Sequence, residues 1–269
     1  MNWNRIKALV RKDLTEVTVN KMVIMPMIVV PAIICIVLPA LLTALSLGAG
    51  MAMINGADLI ERIIPDYAVP EEITSTAVRI AYVFLNFTFV PLFMLVPIMT
   101  ASVIAANSVV GEKERKTLET LLYTPITNRE FLIAKELSAF IPALLVTVVS
   151  FVGFFVVVNV TSWLMEGILL IRSLVWIPAI LLLAPAVSLL GLAVTLLVSV
   201  RSKSFMEAQQ MSALVVLPFI LLIGGQIGGL VTFNVLFLSL LAVGLFALGW
   251  FLVARVGPKF EREQIITTL

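Results

Sequence analysis

The chain has 269 residues, of which 61% are hydrophobic and 13% charged, and its net charge is +2. Soluble domains carry about 25% charged residues, so this composition excludes an ordinary soluble fold, and the near-neutral balance gives no sign of nucleic-acid binding. There is no histidine, the commonest metal ligand and general base, and the lone Cys35 cannot form an intrachain disulfide or a cysteine cluster.

Residues 3–20 predict an amphipathic helix. Trp3, Ile6, Leu9, Val10, Leu14 and Val17 share one face, with Arg5, Arg11, Lys12 and Glu16 mostly on the other. Asp13 intrudes on the apolar face. A basic amphipathic helix with an aromatic near one end is expected to lie in the membrane interface; a plain extension of the first span is the alternative. The stretch is too polar, and the run after it too long, for a secretory signal.

Apolar runs long enough to cross a bilayer then recur. They fall at about Met22–Leu47, Ile80–Val110, Phe131–Val160, Leu174–Val200, Ala213–Val231 and Val235–Arg255. The expected fold is therefore all-α: residues 1–21 form an interfacial helix and residues 22–269 a six-span membrane domain. The segment 49–79 between the first two spans is more polar and is broken by Pro65 and Pro70. It has room for one short helix, Ala57–Ile64, but not for an independent domain.

An even number of spans puts both termini on one side. Fifteen Lys and Arg fall on the side of the termini and of the 111–137 link; Arg62, Arg79 and Arg172 fall on the other. The positive-inside rule makes the first side cytoplasmic, so 49–79 is expected outside.

The middles of the spans carry no Asp, Glu, Lys or Arg. Ion-driven carriers usually need such groups there, which argues against one, although backbone carbonyls can also bind sodium. Asn86 and Gln226 are candidates for a substrate path, against the alternative of ordinary interhelical hydrogen bonding. The triplet Asn86-Phe87-Thr88 matches a glycosylation site but lies inside a span. Prolines recur within the spans, at Pro26, Pro31, Pro39, Pro91, Pro97, Pro142, Pro178, Pro185 and Pro218, and tend to kink helices. The run GGQIGG at 224–229 suits close packing or a turn.

The link 111–137 holds ten of the 34 charged residues. Residues 112–124 fit one helix, in which Leu118, Leu121 and Leu122 make a narrow apolar ridge rimmed by Glu112, Glu114, Arg115, Lys116 and Glu119. Thr124 before Pro125 marks its stop. Thr127 and Glu130 form a capping box for a second helix, with Ile126 and Phe131 placed to staple it. A ridged helix of this kind docks into a groove on a soluble partner or lies on the membrane and its own spans; the pattern alone allows both.

This segment resembles the cytoplasmic signature of ATP-binding-cassette (ABC) exporter permeases of the type-2 family, roughly Glu-x-Glu-x-x-Thr-Leu-Glu-x-Leu-Leu-x-Thr-Pro with a basic residue beyond. The chain supplies Glu112, Glu114, Thr117, Leu118, Glu119, Leu121, Leu122, Thr124 and Pro125, then Lys135. The link with Glu207, Ala208, Gln209 and Gln210 and the basic amphipathic start also look like that family. The resemblance implies a six-span permease of the plasma membrane that pairs with a second permease half. It also implies that Glu112 to Pro125, Arg115 included, contacts a separate ATPase subunit as a coupling helix. ATP and Mg²⁺ would bind on that ATPase, since the chain has no phosphate-cradling Gly-x-x-x-x-Gly-Lys-Ser/Thr loop; no cofactor, metal or catalytic residue is expected here. The rivals are an ion-coupled carrier or channel and a non-transport scaffold or immunity protein. An intramembrane enzyme has little support, because no paired carboxylates sit at membrane depth.

Overall fold

The computed structural model describes residues 1–47, 69–73, 75–116, 126–227, 231 and 233–256. The expected helix at Ala57–Ile64, the ridge with Thr117, Leu118, Glu119, Leu121, Leu122, Thr124 and Pro125, the second half of GGQIGG and the tail from Gly257 lie outside them. Among the described residues there is no strand.

The chain opens with α1, Trp3–Val19. Six helices follow that are long and apolar enough to cross a membrane: α2 Lys21–Leu45, α3 Thr76–Glu114, α4 Asn128–Glu166, α5 Trp176–Ser199, α6 Phe205–Gln226 and α7 Val235–Arg255. They follow the predicted spans with shifted ends. The link before the fifth span is helical from Phe205, because the Ser204 hydroxyl accepts from Glu207 N and caps it. The link between the third and fourth spans is shorter than expected, because α4 runs on to Glu166 and stops at Gly167, whose φ of +69° suits a residue without a Cβ.

The apolar window of α3 is 83% buried, against 17% for α7 and 22% for α2 and α6. So α3 is the central post, with α4 and α5 against it and α7 behind α5. Gly191 on α5 permits a close approach: a Cβ there would sit 3.2 Å from the Ile98 carbonyl oxygen of α3. At 39 residues each, α3 and α4 are about 58 Å long at 1.5 Å per residue. That is nearly twice the hydrocarbon thickness of about 30 Å, so both project well beyond it.

The prolines do not simply kink these helices. Wide π-type turns cover Ile33–Val37, Phe84–Thr88 and Ala179–Leu183. Each contains the residue four before a proline: Cys35 before Pro39, Phe87 before Pro91, Leu181 before Pro185. A proline cannot donate to that carbonyl and its ring crowds it; a widened turn takes up the misfit. The fourth such turn, Asn107–Gly111, has no proline behind it. It lies at the foot of α3, immediately before Glu112.

Candidate functional site

The foot of α3 meets α1 and the first turns of α4, and this is where buried charge collects. Lys135 is fully buried on α4. Its ammonium donates to Asp13 Oδ1 at 3.1 Å, Asp13 Oδ2 at 3.0 Å and Glu112 Oε1 at 3.0 Å. The Ser138 hydroxyl, one turn on, donates to Asp13 Oδ2 at 3.1 Å. Lys12 donates to Glu112 from the outer side, and Arg115 donates to Glu16. Two carboxylates thus pair with one buried ammonium.

The misfit in the amphipathic pattern of α1 is thereby explained. Ile6, Leu9, Asp13 and Val17 form its buried stripe, and Asp13 sits in the middle of it because it meets Lys135. Trp3, from the same apolar face, stays exposed.

The run from Glu112 to Arg115 gives each residue a different anchor. Glu112 takes Lys12 of α1 and Lys135 of α4. Lys113 donates to the Ser199 and Val200 carbonyls, both at 3.0 Å, at the C-terminal end of α5. Glu114 Oε1 accepts from Phe205 N at 3.0 Å, at the start of α6. Arg115 returns to α1. Four consecutive side chains thus tie the foot of α3 to α1, α4, α5 and α6. Asn107 adds a second layer: its amide donates to Glu16 Oε1 at 3.3 Å and its oxygen accepts from Asn20 Nδ2 at 2.9 Å.

The expected capping box is present. Thr127 Oγ1 accepts from Glu130 N at 3.3 Å, and Glu130 Oε2 accepts from Thr127 N at 3.1 Å. Glu130 also accepts from Asn2 N at 2.6 Å, which fixes the start of α1 to the start of α4. Ile126 and Phe131 belong to one apolar cluster there. The helix expected over 112–124 differs. Its first residues are the last turn of α3, and the helix stops at Arg115–Lys116, where Lys116 turns left-handed at φ 56°. Glu112 therefore does not rim an exposed helix; it is 1% exposed and locked inside the junction.

Burial pushes the Asp13 carboxyl above its ordinary range, by more than the Lys135 charge pulls it down. Partial burial alone would lower Lys12, but the hydrogen bond to Glu112 and the charges of Glu112, Asp13 and Glu16 hold it above its ordinary value. Carboxylate oxygens of Asp13, Glu16 and Glu112 approach within 4.8 Å of one another. The ammonium groups of Lys12 and Lys135 already sit against this trio, and three cations balance three anions. The arrangement therefore suits a mechanical joint better than a metal ion.

The two candidate path residues have different surroundings. Asn86 is fully buried; its amide donates to Tyr82 O at 2.9 Å and Leu170 O at 2.8 Å, and its oxygen accepts from Ser173 N at 3.3 Å. With Asn159, which bonds both backbone groups of Ile171, it pins the loop between α4 and α5. Gln226 has a buried Oε1 with no hydrogen-bond partner among the described residues.

Sequence reasoning assigned no junction role to Asp13, Lys12, Glu16, Asn107 or Lys113. One signal was present: a lone Asp on an apolar face and a Lys within a long helix are each costly unless paired, and together they imply a pair.

A family model described as ABC-2 family transporter protein matches residues 7–238, from the first turns of α1 into α7. No curated protein and no solved structure matches the chain.

Proposed function

The chain belongs to the ABC-2 family of transporter proteins, as a membrane permease subunit, and on that premise we propose that ATP hydrolysed on a separate ATPase subunit drives export through it. Residues 112–125 are the contact in this reading. Leu118, Leu121 and Leu122 fill a groove on the ATPase, and Thr117, Glu119, Thr124 and Pro125 shape and orient the helix. Glu112, Glu114 and Arg115 anchor its near end in the permease. Both termini and this segment face the cytoplasm, the membrane is the plasma membrane, and α1 lies along its interface with Trp3 turned to lipid. A second permease half completes the pore, and ATP with Mg²⁺ stays on the ATPase.

The observation that carries the reading is the fourfold anchoring of Glu112–Arg115. A force applied just beyond Lys116 would reach α1, α4, α5 and α6 together, since each is bonded to the same turn. The middles of the spans carry no Asp, Glu, Lys or Arg that could bind and release a driving ion, which favours entry of energy at such a joint.

The test is a Glu119→Cys variant with a heterobifunctional crosslinker, in membranes of cells that co-express a candidate ABC ATPase subunit. Capture of the ATPase is expected. Leu121→Glu with Leu122→Glu should abolish capture and transport while leaving the permease in the membrane. Failure of Glu119→Cys to capture any ATPase, or flux in proteoliposomes without ATP, would overturn the assignment.

A further inference from the structure

Beside the junction lies a cleft of about 890 Å³ that the coupling reading does not use. Its walls are the second half of α1, the corner at Asn20, Lys21 at the start of α2, and Arg115 from the foot of α3. Four cations line it, Arg11, Lys12, Lys21 and Arg115, against one carboxylate, Glu16. Two of the four are engaged: Lys12 by Glu112, Arg115 by Glu16. Arg11 and Lys21 have no ion pair among the described residues and are exposed. The cleft is thus a concave surface with excess positive charge held in place by a rigid joint.

Its level follows from the sequence around it. The chain is polar through Lys21 and apolar at once afterwards, with Met22, Val23 and Ile24 opening a span. That step places the cleft at the headgroup layer. Val19 and the aliphatic stems of the lining cations give its wall an apolar component, which suits a phosphate attached to a greasy body. The cytoplasmic leaflet supplies anionic lipid.

We propose that this cleft binds the phosphate of an acidic phospholipid from the leaflet that contacts α1, with Arg11 and Lys21 as its principal ligands and Lys12 and Arg115 as supporting charges. The site is independent of the ATPase contact; it rests only on α1 lying at the membrane surface. A lipid seated there would add a tether at the corner between α1 and α2, where Asn20 already bonds Asn107 of α3.

The test uses the purified full-length permease in phosphatidylcholine nanodiscs containing a few mole per cent of spin-labelled phosphatidic acid. Immobilised lipid is read from the spectrum. Wild type should hold phosphatidic acid in preference to labelled phosphatidylcholine. Arg11→Gln with Lys21→Gln should weaken that preference about twenty-five-fold, a factor of about five for each cation near the surface. Lys7→Gln with Arg201→Gln removes the same charge from exposed positions outside the cleft and should leave the preference within about twofold. Equal loss in both double variants would show a diffuse surface potential and overturn the site, as would unchanged binding in the first. Displacement of the lipid by millimolar inorganic phosphate would identify a soluble anion as the ligand and overturn the lipid assignment. Retention of ATPase capture by the Arg11→Gln, Lys21→Gln variant separates this result from the coupling reading.

Discussion

The two longest helices, α3 and α4, are joined at two levels by opposite chemistry. At one end Lys135 and Glu112 meet inside a cage of charges that also takes in α1. Further along, Phe89 and Phe93 of α3 pack on Phe151 and Phe154 of α4, with Trp176 of α5 closing the group. Phe89 stacks on Phe154 at 4.8 Å and 11°, and Phe93 meets Trp176 edge-on at 5.5 Å and 87°. Aromatic pairs contribute about 0.5–1.5 kcal/mol each and accept several geometries. In lipid they gain from packing alone, since the surroundings are equally apolar. A buried charge pair contributes little net stability, but it is intolerant of misalignment. The aromatic level can therefore shear while remaining cohesive, whereas the charged level holds register. A joint that must transmit a displacement needs the second property, and helices that must slide past one another during transport need the first.

The largest effect should come from splitting the charged level. Lys135→Met leaves Asp13 and Glu112 buried without their shared counter-ion, which costs about 3–5 kcal/mol. Undocking of α1 relieves it. In a Cys35→Ala background, Leu9→Cys should be protected from maleimide in the parent and labelled once Lys135→Met is added. Protection in both would mean that Ile6, Leu9 and Val17 suffice to dock α1. Replacing the whole set, Asp13→Leu with Glu112→Leu and Lys135→Leu, should restore protection, because an apolar trio has nothing to desolvate. On the proposed coupling, stimulation of an ATPase subunit by the permease should not return, because register is lost.

The aromatic level should respond differently. Phe154→Ala opens a cavity among α3, α4 and α5 and should cost about 3 kcal/mol, the lower end for a buried ring. A lowered thermal midpoint in detergent is expected, with Leu9→Cys as protected as in the parent. Labelling of Leu9→Cys in this variant would show that the two levels are not separable.

The spans, the capping box and the proline positions were legible in the sequence because each has a local cause: a run of apolar residues, a Thr-x-x-Glu, a missing N–H. The junction was only half legible. Glu112, Glu114 and Arg115 stood out through a linear pattern. Their partners Lys12, Lys135, Phe205 and Glu16 lie 23 to 100 residues away by number, and no periodicity links them. The end of α3 was misplaced for the same reason. Charge and helix propensity favour continuation through Lys116, but the anchoring of Glu112–Arg115 to four neighbours fixes where the helix must stop. Asn86 shows the converse. Its polarity inside a span invited a role in a substrate path, while its three hydrogen bonds hold a loop.

The smallest expected effect tests the rim of the charged level. Lys12 has its folded-state value raised above the ordinary 10.5, so the docked helix holds that proton more tightly than the undocked one. Its contribution is complete below pH 10.5 and is lost as the pH climbs through the docked value. Asp13 is raised too, so its contribution grows on acidification and falls away as the pH rises from 3.8 through its docked value. Acid therefore does not release α1 through either group, and alkali does through Lys12. The Lys12 side chain is 42% exposed, and an ion pair so open to water contributes at most about 1 kcal/mol. Spin labels on Lys7→Cys and Arg129→Cys, again with Cys35→Ala, should give one narrow distance from pH 8 to about pH 10.5 and a broadened one above it. Adding Lys12→Gln should broaden the distance slightly at every pH and abolish the alkaline change. A width that stays constant through that range would place the whole docking energy of α1 on Lys135 and the apolar stripe, which makes the charged level a single-point joint.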